Sequence, residues 1–170
     1  MSTKSVLILD KDQIEKKTVR IAYQILEDNF EEKSLVLAGI ADRGYVFAQR
    51  LKAILERISS IKVELIKITL DKDSRVLTAQ TDVPITQARN KAVILVDDVL
   101  NSGRTLAYGM GGFFDVPLKK MRTAVLIDRS HHKYPIFSDF SGLKLSTILK
   151  EHVEVTLSEQ DGVEDAAWLS

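Results

Sequence analysis

The groups best placed to do chemistry fall in one stretch, Ala92-Val93-Ile94-Leu95-Val96-Asp97-Asp98-Val99-Leu100-Asn101-Ser102-Gly103-Arg104-Thr105. Five apolar residues, mostly β-branched, have the pattern of a short strand buried in a parallel sheet. Two adjacent carboxylates follow at its C-terminal edge, then a polar turn with one glycine, then a helical stretch from about Thr105. In that order the parts suit a ribose 5-phosphate. The turn Asn101–Thr105 can aim successive backbone N–H groups at an anion, and the following helix adds the partial positive charge of its N-terminus. Ser102 and Thr105 add hydroxyl donors, and Gly103 lets the backbone approach closely. Asp97 and Asp98 can accept hydrogen bonds from vicinal sugar hydroxyls and face a place for a divalent cation.

The elements that must position this stretch fit within 170 residues, enough for one domain spanning 1–170. Apolar residues make up 45% and charged residues 28%, a globular balance that excludes the disordered class. Without cysteine there is no disulfide framework and no thiolate chemistry. No apolar run approaches the roughly 20 residues of a membrane span. The N-terminus enters a charged, patterned segment with no signal-peptide core, so a cytoplasmic location is expected. Basic and acidic residues number 24 each, so no net charge draws the chain to nucleic acid.

In chain order, Ser5–Leu9 reads as a strand, with Asp10 and Asp12 as helix-entry residues. A helix from Asp12 to about Phe30 has Ile14, Thr18, Ile21, Ala22, Ile25 and Leu26 on one face and a solvated charged face opposite. Leu35–Ile40 is a second strand, ending in Ala41-Asp42-Arg43-Gly44 before a helix bearing Ala48, Leu51, Leu55 and Ile58. Val63–Leu70 is a third strand. The polar segment from Asp71 to about Asn90 lacks a period and reads as an active-site lid, with a floppy surface excursion or a β-hairpin arm as the alternative. Gly109, Gly111 and Gly112 predict a short or loosely held helix after the organising strand, since each costs roughly 1 kcal/mol relative to Ala. Ala124–Ile127 is a fifth strand, followed by Asp128-Arg129-Ser130. The order predicts an α/β fold with a parallel central sheet flanked by helices. Ala41–Gly44, Asp97–Thr105 and Asp128–Ser130 all follow strands and converge on one crevice at their C-terminal edges. Phe137, Phe140 and Val153–Leu157 are expected to form a small C-terminal cap, or hood.

The run from Val93 to Thr105 resembles the phosphoribosyl diphosphate (PRPP) motif of type I phosphoribosyltransferases. Gly39–Gly44, Ala124–Arg129 and the tail from Asp139 also fall in order. Together they are similar to the bifunctional pyrimidine-operon attenuator and uracil phosphoribosyltransferase family over nearly the whole chain. The resemblance implies a Rossmann-like type I fold and transfer of the phosphoribosyl group from PRPP to uracil, giving UMP and diphosphate with Mg²⁺. It implies that Asp97, Asp98, Val99, Leu100, Asn101, Ser102, Gly103, Arg104 and Thr105 bind PRPP. Ala41, Asp42, Arg43 and Gly44 would form the diphosphate loop, with an unusual peptide conformation. Asp97, Asp98 and Arg43 would carry catalysis, and Arg129, Asp139 and Leu145 would border the base. The metal would come with PRPP and need no direct protein ligand, Asp97 and Asp98 being the candidate carboxylates. A homodimer or higher homo-oligomer is expected by analogy, with no membrane or DNA partner.

The chain departs from that family at several places. The first helix reads Thr18-Val19-Arg20-Ile21-Ala22-Tyr23-Gln24, without the family's histidine, and the diphosphate loop has Ala41-Asp42 where a Lys-Thr pair is common. Arg129 is followed by Ser130-His131-His132-Lys133-Tyr134-Pro135, and Gly142-Leu143-Lys144 replaces a basic tail. Because phosphate contacts dominate RNA affinity, these changes and the zero net charge weigh against RNA attenuation. The alternatives are an RNA-binding regulator that senses nucleotide or PRPP with weak catalysis, and a transferase for a purine base. His131 and His132 are adjacent, a spacing unsuited to a zinc site on one helix face. Trp168 reads as a packing anchor or dimer contact.

Overall fold

The computed structural model describes residues 4–71 and 73–170. Asp10 opens helix α1 (Lys11–Asp28) through a reciprocal cap. Its carboxylate accepts the Gln13 amide at 2.8 Å, and the Gln13 side chain accepts the Asp10 amide at 2.9 Å. Such a cap stabilises a helix by about 1 kcal/mol. Ile14, Thr18, Ile21, Ala22 and Ile25 are buried on one face, and the Thr18 hydroxyl is satisfied by donating to the Ile14 carbonyl at 2.7 Å.

The central sheet contains β2 (Ser34–Ile40), β3 (Lys62–Leu70), β4 (Ala79–Thr81), β5 (Ala92–Leu100), β6 (Lys120–Arg129) and β7 (Phe140–Leu145). Their order is β4-β3-β2-β5-β6-β7, parallel throughout except for β4 at one edge. The chain runs from β2 outward to β3 on one side and from β5 outward to β6 and β7 on the other. The β2–β5 pair is therefore the topological switch point, where the loops after two neighbouring strands part and leave a crevice. Helices α1 and α2 (Arg43–Ile58) share one apolar cluster with the sheet, and α3 (Arg104–Gly111) packs within a second.

Two expectations need correction, and for the segment after β3 the hairpin reading is the one observed. The first strand, β1 (Val6–Leu9), does not join the parallel sheet. It pairs antiparallel with β9 (Ala166–Leu169), which pairs with β8 (Val153–Thr156), making a three-stranded hood sheet. Phe140 belongs to β7, a central-sheet strand that the weak alternation of Phe-Ser-Gly-Leu-Lys-Leu concealed, and not to the hood. The segment after β3 begins as a hairpin arm: β4 pairs with β3, and a short 3-10 turn at Ile85–Ala88 buries Ala88. Lys72, within that segment, lies outside the described residues.

The hood's Val153, Val155, Leu157 and Ala167 are buried in the same apolar cluster as α1 and α2. The hood is thus continuous with the core, and the short helix α4 (Ser158–Asp161) brings it against α2. No helix among the described residues is long and apolar enough to cross a membrane.

Candidate active site

A polar cleft of about 360 Å³ opens at the switch point, bordered by Ile40–Arg43, Asp97–Val99, Asn101, Thr105 and Gln160. Strand β5 builds one wall. Its pairing with β2 ends at Val96 opposite Gly39, while pairing with β6 continues to Leu100. Asp97 and Asp98 lie just beyond the last β2 partner, on backbone still fixed from the other side. The Asp98 amide donates to the Asp97 carboxylate at 2.9 Å. Asp97 and Asp98 therefore lie within the strand, three and two residues before its last residue, Leu100.

The other wall is the turn from β2 into α2, where the Ala41–Asp42 peptide is cis. Ala41 is held by its amide donating to the Ile68 carbonyl at 2.8 Å. Gly44 is required by close approach: a Cβ there would lie 2.7 Å from the Val96 carbonyl oxygen and 2.9 Å from the Asp97 Cα. A side chain would push α2 away from β5 and widen the cleft. Asp42 is exposed and sits 3.7 Å from Lys67 Nζ, so its charge is partly balanced by a neighbour on β3.

Beyond Leu100 the chain turns through Asn101–Gly103 into α3. Gly103 has φ 86°, the left-handed region that favours glycine, and it stands immediately before the first helical residue. The Ser102 carbonyl accepts the amides of Lys133 and Tyr134 at 2.8 and 3.0 Å, and its hydroxyl accepts the Arg104 amide at 3.2 Å. Arg104 itself is exposed, 5.6 Å from the Tyr108 ring centroid. Val99 and Leu100 are buried; Leu100 contributes packing and Val99 also borders the cleft.

Arg43 lies at the cleft, but its Nε and Nη2 donate to the Asp161 carboxylate of the hood helix at 3.1 and 2.8 Å. The guanidinium holds the Asp161 carboxyl below the usual carboxylate range. Two helical turns further along α2, Arg50 is gripped by Glu159 and Asp165. Their hydrogen bonds outweigh burial and raise the arginine's pKa, while both acids are lowered.

A second, smaller pocket of about 200 Å³ adjoins the turn, lined by Asn101, Ser102, Arg129, His131, Lys133 and Leu149. Of the expected base-side residues, Arg129 borders it. Leu145 does not: its side chain packs against the core and its carbonyl accepts the Ser130 amide at 3.2 Å. Asp139 sits at the opposite end of the sheet, where its carboxylate accepts the Thr123 amide at 2.9 Å near the start of β6. The reason is topological: Asp139 precedes β7, a parallel strand, and so lies at the N-terminal edge. Sequence patterning did not single out Gln160, Asp161 or Thr147. The first two lie on a four-residue helix too short to show a period. Asp128, which precedes Arg129 in β6, is buried; it accepts a hydrogen bond from Ser138 at 2.6 Å and pairs with His132 at 2.8 Å.

A family model described as the phosphoribosyl transferase domain matches residues 7–160, and the chain belongs to that family, with the type I fold. Within the family its sequence is most similar to the bifunctional attenuator and uracil transferase group. It is 37% identical to the Bifunctional protein PyrR of Halalkalibacterium halodurans over 95% of both chains. It is 36% identical to the Bifunctional protein PyrR of Fusobacterium nucleatum over 99% of this chain and 100% of that one. Among solved structures, a hypoxanthine-guanine phosphoribosyltransferase from Bacillus anthracis aligns over the whole of both chains with TM-score 0.73 and 24% identity. The hypoxanthine phosphoribosyltransferase of Trypanosoma cruzi aligns over 96% of this chain and 94% of that one, with TM-score 0.77 and 17% identity. At these identities the structural likeness shows the fold alone.

Proposed function

We propose that this protein transfers the 5-phosphoribosyl group of PRPP to uracil, giving UMP and diphosphate, in the cytoplasm and as a homo-oligomer. The observation that carries the reading is the convergence of Asp97, Asp98, Asn101 and Thr105 with Ala41, Asp42 and Arg43 on one polar cleft at the β2–β5 switch point. Asp97 and Asp98 hold the ribose hydroxyls, and the Asn101–Thr105 turn with the start of α3 holds the 5-phosphate. Ala41–Gly44 receive the diphosphate, with Arg43 at its edge. The smaller pocket beside Asn101 takes the base, bordered by Arg129, His131 and Lys133.

Mg²⁺ fits this donor set, since carboxylate oxygens of Asp97 and Asp98 border the cleft and suit a hard cation. Bound together with PRPP, it supplies neutralisation of the charge on the departing diphosphate. The C1–O bond to diphosphate breaks with its electron pair leaving on oxygen, a C1–N1 bond to uracil forms, and the N1 proton leaves to solvent. The side chains act by positioning and by electrostatics; no covalent intermediate on the protein is needed. Asp97 and Asp98 favour positive charge developing on the sugar ring.

Uracil is favoured by the resemblance to the uracil-type family and by the relatives' similarity over nearly the whole chain. An RNA-binding role is less well supported on α1. There Lys17 and Arg20 donate to the carbonyls of Ser141 and Gly142 and so tie the helix to β7. The deciding experiment is diphosphate release with PRPP and Mg²⁺ and, in turn, uracil, hypoxanthine, guanine, xanthine and orotate. Turnover with uracil alone is expected. Turnover with a different base overturns the base assignment, and no turnover with any base overturns the reaction.

A further inference from the structure

Arg129 ends β6 with a guanidinium that spans two segments of the site. Its Nη1 donates to the Asn101 side-chain oxygen at 3.0 Å, in the turn after β5. Its Nε donates to the Thr147 hydroxyl at 2.9 Å, and Nη2 to the carbonyls of Glu151 at 2.6 Å and Ile148 at 3.4 Å. A guanidinium has five N–H donors in one rigid plane. Four acceptors of the protein leave it little capacity to read a ligand, which argues against a primary role in base recognition.

The segment it holds forms one wall of the smaller pocket. Thr147 is buried at 3% exposure, while Leu149, which lines the pocket, is 85% exposed. Among the described residues the other hydrogen bonds of residues 147–151 are local: the Ile148 amide donates to the Glu151 carboxylate at 2.8 Å and the Glu151 amide to the Ile148 carbonyl at 3.1 Å. Arg129 thus ties the position of the Leu149 wall to that of the Asn101 turn. Because the guanidinium is planar, a shift of Asn101 on one edge rotates the donors that hold Thr147 and Glu151 on the others.

We propose that Arg129 is a positioning residue that couples the ribose-phosphate turn to the wall of the base pocket, so that the two halves of the site fill cooperatively. The inference rests on the transferase reading and adds a thermodynamic link within it. An anion that fixes the Asn101 turn sets the Leu149 wall, and a planar base seated against that wall fixes the turn. By linkage each ligand raises the affinity for the other by the same factor.

The test measures the dissociation constant of uracil with and without saturating ribose 5-phosphate, and that of ribose 5-phosphate with and without uracil. Wild-type protein is expected to show reciprocal tightening of about fivefold or more, the usual lower range of such coupling. In Arg129→Gln the factor should fall to near one. Asn101→Ala, at an exposed position, cuts the link without touching the Thr147 and Glu151 bonds and should also lower it to near one. It serves as the second variant where Arg129→Gln fails to fold. Binding of both ligands with an unchanged factor in either folded variant overturns the inference and leaves the transferase reading standing. Independent binding in the wild-type protein overturns it as well. Wild-type protein that binds neither ligand overturns the transferase reading and this inference with it.

Discussion

Arg43 at the start of α2 and Asp161 at the end of α4 are joined by a two-point ion pair, Nε and Nη2 on the two carboxylate oxygens at 3.1 and 2.8 Å. The hood is thereby fastened to the residue that stands beside the proposed diphosphate site. Arg43 serves two ends, and substitutions separate them. Arg43→Ala should raise the apparent PRPP constant by about tenfold, the size expected for a charge-assisted hydrogen bond, and should lower the melting temperature. Asp161→Asn should lower the melting temperature alone. Steady-state kinetics and thermal unfolding check both; an equal rise in the PRPP constant for Asp161→Asn would contradict the separation.

Much of this site could be read from residue types because its chemistry is local. Asp97–Thr105 spans the last residues of β5 and the turn after it, Ala41–Gly44 follows β2, and hydrophobic runs before them announce the strands. What escaped was set by pairing between distant segments. Nothing in Val6–Leu9 distinguishes a hood strand from a central one, since both are short and apolar. The resemblance of the tail implies a place for Asp139 beside the base. It lies at the far edge because a strand, Phe140–Leu145, begins after it. The resemblance points to Arg129, but three of its four acceptors lie in the loop Thr147–Glu151, which carries no period.

Asp98→Asn should cut turnover by about a hundredfold, the scale of losing one preorganised electrostatic group in a reacting site, with the fold intact. The position is half-buried beside the cleft, and the exchange preserves shape. Turnover at the wild-type rate, with an unchanged circular dichroism spectrum, would remove Asp98 from the ribose site.

Gly44→Ala tests the close approach of α2 to β5. The added Cβ meets backbone at 2.7 and 2.9 Å, which no side-chain rotation relieves. Overpacking of this kind costs about 1–3 kcal/mol. Chemical denaturation should report a loss in that range, together with weakened PRPP binding. Full stability would mean that the β5–α2 spacing is not tight.

Acid should loosen the hood. Asp161, Glu159 and Asp165 have folded-state pKa values below their ordinary ones because Arg43 and Arg50 hold them charged. Unfolding raises those values, so the unfolded chain binds protons first as pH falls. Their contribution to stability is therefore complete above about pH 5 and is lost as pH falls through the ordinary carboxylate range of about 4 and below. Melting temperature followed from pH 7 downward should show the gap between wild type and Asp165→Asn closing in that range. A gap that persists unchanged at low pH would contradict the role of the Arg50 pair.

PRPP binding is measured first, by calorimetric titration into the protein with Mg²⁺ present, for wild type and for Asp98→Asn. Saturable one-site binding to wild type is expected, competed by UMP and strongly weakened in the variant. Absence of PRPP binding to folded wild-type protein, or equal binding by both proteins, would contradict the transferase reading.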